Sequence, residues 1–197
     1  MKKIREFLQK HFAKFCIMVL CIAVMGYFVN IIFFENKKDV LTILVLTTDI
    51  DREELSQEIK KAVDINKGEE ITIQTLDYSN KANQGVAITW LRSGTIDILV
   101  GNKEEMTIFG QYGYLKELEK TELATDKEKF MCGIAEFDDE GNILSIKGDY
   151  WVGIYPDKIP GLNGIWQPVI SIMENAPNKG NAMKTVEILC NKSKTPQ

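Results

Sequence analysis

Histidine is almost missing: the 197 residues contain one, His11, near the N-terminus. A long apolar run separates it from the rest of the chain, which therefore has no imidazole to build a catalytic triad. The motifs G-x-S-x-G, P-loop, G-x-G-x-x-G and H-E-x-x-H are absent as well. There are four cysteines, and no pair has zinc-site spacing. The D-x-D-x-D-G spacing of a calcium loop is also lacking, so Asp138-Asp139-Glu140 reads as a solvated turn. Carboxylates are plentiful, but no constellation singles out a catalytic pair. These absences point to a protein that is not an enzyme, with no catalytic residue, no metal and no cofactor.

Positive charge is scarce beyond the N-terminus. Lys2, Lys3, Arg5, Lys10 and Lys14 precede an apolar run, Phe15–Phe34, in which Asn30 is the one strongly polar residue. As a helix those 20 residues would span about 30 Å, the thickness of a bilayer core. A signal peptide would have a shorter apolar core and a small-x-small cleavage site, and Ile31-Ile32-Phe33-Phe34-Glu35 offers none. The lipoprotein pattern before Cys21 and the pilin cleavage pattern are missing too. The expectation is an uncleaved signal-anchor: a single-pass transmembrane helix over 15–34. By the positive-inside rule, segment 1–14 is cytoplasmic and the remainder is outside the cell. After position 34 the chain has 19 basic and 27 acidic residues, a net charge of −8. So acidic a surface argues against nucleic acid as a partner.

The expected organisation is a basic segment 1–14, a transmembrane helix 15–34, a linker 35–39, an extracytoplasmic α/β domain 40–191 and a tail 192–197. Val40–Leu46 is continuously apolar, as in a strand buried on both faces. Asp51 opens a helix, with Glu54 at the capping-box position and Ile50 and Leu55 spaced as a hydrophobic staple. Glu70–Leu76 alternates, as in a strand nearer a sheet edge. Val86, Ala87, Trp90 and Leu91 make a helical face closed by Gly94. Ile96–Val100 is the next strand, followed by a helix for which Asn102 and Glu105 make a capping box. This β-α-β-α-β-α order predicts a three-layer αβα domain with a mainly parallel sheet. Further on, Gly133–Phe137 and Ile143–Ile146 flank a hairpin turn, and Tyr150–Tyr155 and Val169–Met173 read as strands. Asn178 starts a last helix with Ala182, Met183, Val186 and Leu189 on its core face. Cys132 and Cys190 either form one disulfide or stay as separate buried thiols; sequence leaves both open.

Ser93-Gly94 before Asp97-Ile98-Leu99, then Gly113-Tyr114-Leu115-Lys116-Glu117-Leu118, resembles a segment of extracytoplasmic solute-binding proteins of the type II periplasmic-binding fold. Asn175-Ala176-Pro177-Asn178-Lys179-Gly180-Asn181-Ala182-Met183-Lys184 is similar to the return of that family's chain into its first lobe. The resemblance implies a single lobe, because Thr121–Asp149 is too short for a second.

Ligands of parallel sheets sit beyond the carboxyl ends of the strands. The candidate ligand-binding residues there are Thr47, Thr48, Asp49, Tyr78, Gly101, Asn102, Tyr155 and Asp157. Helix capping alone also accounts for Asn102. Trp151 and Trp166 read as core packing. Two functions follow. One is a membrane-tethered, solute-binding-like module for a small molecule or an envelope protein partner. The other is a structural component of an envelope assembly.

Overall fold

The computed structural model of the chain describes residues 16–26, 38–119, 121, 123 and 127–191. The chain divides into two compact units, residues 1–38 with 67–69 and residues 39–66 with 70–197. In the first, residues 16–26 form a helix, α1. Among the described residues no helix is long and apolar enough to cross a membrane. The expected transmembrane helix over 15–34 is therefore not shown, and the single-pass, signal-anchor description is withdrawn. The rest of that run, segment 1–15 and tail 192–197 lie outside the described residues.

The second unit is a six-stranded sheet with helices packed on it. The elements that follow α1 are β1 (Lys38–Val45), α2 (Arg52–Ile59), β2 (Glu69–Thr75), α3 (Lys81–Arg92), β3 (Ile98–Gly101), α4 (Lys103–Gln111), β4 (Glu128–Phe137), β5 (Ile143–Tyr155), β6 (Val169–Ile172) and α5 (Lys179–Asn191). The sheet order is β2-β1-β3-β6-β5-β4. The apolar β1 is flanked by β2 and β3, and its last six residues are buried. The alternating β2 is the edge strand, with every residue half-buried.

The mainly parallel sheet is corrected to a mixed one. β1 and β3 are parallel, but β3–β6, β6–β5 and β5–β4 are all antiparallel. The cause lies in the connection from β5 to β6. A parallel return needs a crossover of a dozen or more residues, usually helical. Here Pro156, Pro160, Gly161 and Pro168 break any helix, so the chain turns back as an irregular strap and β6 enters in the opposite sense.

The hairpin is longer than its apolar pattern suggests. Lys129, Lys147 and Asp149 interrupt that pattern yet lie within β4 and β5. Each is exposed, so a charge there costs the strand little. At the turn, Asp138 Oδ1 accepts from the backbone N–H of Glu140 (2.9 Å) and Asn142 (2.8 Å). Bonds from Asn142 and from the turn backbone hold the Asp138 carboxyl below its usual range. Segment Thr121–Asp149 thus adds strands to the same sheet, so far as it is described, and builds no second body.

Cys132 and Cys190 are both buried and both free. Burial pushes the Cys190 thiol up to about 12, so it stays protonated. Asp97, fully buried, is the carboxylate that joins distant segments. It accepts from Thr42 N (2.8 Å), Asn178 N (2.6 Å) and Asn178 Nδ2 (3.1 Å). One side chain thereby ties β1, β3 and the head of α5.

Candidate functional site

The strap between β5 and β6 is pinned over the turn that follows β1. Asp51 N donates to Gly161 O (2.7 Å), and Asn163 N and Gly164 N donate to Asp49 O (3.3 and 3.1 Å). Leu162 bridges to Ile50, and Ile159 and Leu162 are buried beneath. Past these anchors the chain carries Trp166, whose surface is 86% exposed. Gln167 follows at φ 49°. That left-handed backbone costs a non-glycine residue about 1 kcal/mol or more. Pinning on one side and β6 on the other hold the backbone that carries the indole.

Trp166 stands between two adjoining grooves, one at the carboxyl end of β5 and one at the carboxyl ends of β1, β2 and β3. One, of about 520 Å³, is bounded by Lys103, Glu128, Tyr155, Asp157 and Lys158. The other, of about 640 Å³, is bounded by Thr47, Asp77, Ser79, Asn102, Glu104 and Glu105. Lys103, Ile165, Trp166 and Gln167 line both. Each volume is in the range of small-molecule sites.

Four of the expected residues meet in these grooves: Thr47 and Asn102 in one, Tyr155 and Asp157 in the other. Tyr155 is half-buried, edge-on to Phe130 at 5.8 Å, and burial raises its phenol above the usual value. Asp157 is paired with Lys127. The other four expected residues stand outside both linings. Thr48 is exposed on the turn. Asp49 acts through its carbonyl as the anchor of the strap. Tyr78 is buried and packs edge-on to Phe109 at 5.4 Å. Gly101 lies where a Cβ would come 2.8 Å from Leu46 Cδ1, so close packing explains it.

Sequence reasoning missed Lys103, Ile165, Gln167 and above all Trp166. Trp151 is buried as expected, with Nε1 donating to Gly153 O at 2.7 Å. Trp166 is the reverse, and the available signal was its place in a stretch of Gly and Pro.

The capping box at the base of the larger groove is complete. Glu105 N donates to Asn102 Oδ1 (2.9 Å), and Asn102 N donates to Glu105 Oε2 (3.0 Å). Burial raises the Glu105 carboxyl above its usual range, against the lowering effect of the Asn102 bonds. Asn102→Ala should cost about 1 kcal/mol. Glu105→Ala should cost less, and the two losses should not add, because one box holds both. Urea melts of both single variants and the double read this; full additivity would break the pairing.

Among the described residues no three His, Cys, Asp or Glu side chains converge as metal ligands. Comparisons with protein-family models, with curated proteins and with solved structures find no match. The resemblance to solute-binding proteins therefore rests on the residues quoted for it.

Proposed function

We propose that this chain is a non-enzymatic, solute-binding-like module that takes a small molecule at the two grooves beside Trp166. The observation that carries this reading is Trp166 itself, 86% exposed on a pinned strap at the carboxyl ends of the strands. A tryptophan can bury 150–250 Å², so leaving it in water forgoes roughly 4–6 kcal/mol of apolar burial. A ligand recovers part of that. The site is one open face, and Thr121–Asp149 supplies a hairpin where a closing lobe would be. A bound molecule keeps much of its surface in water, and binding is weak, with a dissociation constant no tighter than about 10 μM. Isothermal titration of the full-length chain against amino acids, sugars and short peptides tests this. A sub-micromolar ligand with compaction in solution scattering would overturn the open-face reading.

A second reading, an assembly component, is favoured by the hairpin. Met131, Ile134, Ile143, Leu144 and Ile146 are all exposed on β4 and β5, with Leu144 at 68%. Exposed apolar side chains, where they adjoin on one face, mark contact with another protein. The mass of the full-length chain in solution, measured across concentrations, reads self-contact through it.

A further inference from the structure

The ligand class can be narrowed, and this step rests on the binding reading above. We infer that the grooves take an uncharged, hydroxyl-rich ring compound, a saccharide, with one sugar ring stacked on Trp166. Three features converge on that chemistry.

First, the indole is a flat apolar platform on a backbone anchored on both sides. It suits a ligand with one apolar face, and a sugar ring presents its C–H groups in that way. Second, the platform lies between two grooves and lines both. A chain of rings can rest its middle on Trp166 and send one end into each groove, whereas a compact solute fills only one. Third, the polar groups of the larger groove suit hydroxyls better than a formal charge. Among the described residues of the larger groove, Asp77, Glu104 and Glu105 face one ammonium, that of Lys103, which disfavours an anion. Two of those carboxylates are already committed within the chain. Asp77 Oδ1 accepts from Ser79 N at 3.1 Å and from the Ser79 hydroxyl. Glu105 accepts from Asn102 N, and its burial disfavours the charged form. A cation would therefore find less free negative charge than the count suggests. Hydroxyls, which donate and accept, match such a mixed set.

Trp166 also makes the inference easy to read. The other two tryptophans, Trp90 and Trp151, are half-buried and buried, so acrylamide quenching of the full-length chain reports chiefly on Trp166. The compounds to titrate are maltotriose, cellotriose and chitotriose, with arginine, choline and adenosine alongside. At least one trisaccharide should shield Trp166 from acrylamide at millimolar concentration. Trp166→Ala should weaken its binding, followed by calorimetry, by roughly tenfold or more, and Trp166→Phe by only about threefold, since a smaller platform remains. Melting temperatures of both variants should match the wild type, because an exposed side chain holds little of the fold. If arginine, choline or adenosine shields Trp166 and no sugar does, the saccharide class is wrong while the binding module stands. Sugar binding unchanged by Trp166→Ala overturns the stacked ring. If none of the six compounds shields Trp166 or gives heat, the saccharide inference falls, and silence of the wider titration as well removes the binding reading beneath it.

Discussion

Asp97→Ala should lower the stability of the fold by about 4 kcal/mol, a loss larger than most single substitutions cause. The carboxylate is fully buried and accepts three hydrogen bonds, two from backbone N–H groups of Thr42 and Asn178 and one from the Asn178 amide. A hydrogen bond to a charged group contributes about 1.5–3 kcal/mol net, and a buried donor left alone costs about 1–3 kcal/mol. Three such bonds, discounted for the water that can reach the half-buried Asn178, give the stated figure. The negative charge also lies at the head of α5, where the helix dipole favours it. Asp97→Asn should lose about half as much. Its oxygen can keep the side shared by Thr42 N and Asn178 Nδ2, but its NH₂ then meets the Asn178 N–H. Urea melts of both variants, compared at equal slope, decide it. An alanine loss under about 1 kcal/mol would mean that the three donors find other partners and that Asp97 is not the tie.

That tie shows what a sequence can and cannot disclose. Asp97 was visible as the first letter of a D-hydrophobic-hydrophobic strand, but Asn178 lies 81 positions away. No local rule joins them. The Asn102–Glu105 box is the opposite case: both partners sit within one helical turn, and both bonds are present as spacing predicted. The edge placement of β2 followed from alternation for the same local reason. The direction of β6 did not. An apolar run such as Val169–Ile172 reads alike in either sense, and only the strap before it decides. The site divides likewise. Strand ends located Thr47, Asn102, Tyr155 and Asp157 in the grooves. Trp166 escaped because its exposure is set by tertiary anchors on Asp49 and Asp51.

Gly161→Ala should cost about 3 kcal/mol and also disable the site, through those same anchors. Two separate penalties meet at this position. The backbone is at φ 75°, and the added Cβ would lie 2.3 Å from Asp51 O and 3.2 Å from Leu55 N. The first penalty, left-handed backbone on a residue with a Cβ, is about 1 kcal/mol. The second cannot be relieved by turning a side chain, because the opposing atom belongs to the backbone. Asp51 caps α2, accepting from Glu53 N and Glu54 N (3.0 and 3.1 Å), and its own N–H is the donor to Gly161 O. Relief moves either the cap, worth about 1 kcal/mol, or the strap that presents Trp166. Gly141→Ala separates the two penalties. Gly141 has φ 86° with nothing within 4 Å of an added Cβ, so its variant carries strain alone. It should lose about 1 kcal/mol and leave Trp166 as accessible to acrylamide as before. In Gly161→Ala the strap should lift, and any ligand seated against Trp166 in the wild type should bind at least about tenfold more weakly. Equal losses in the two variants, with ligand affinity intact in both, would show that the strap yields without moving the indole.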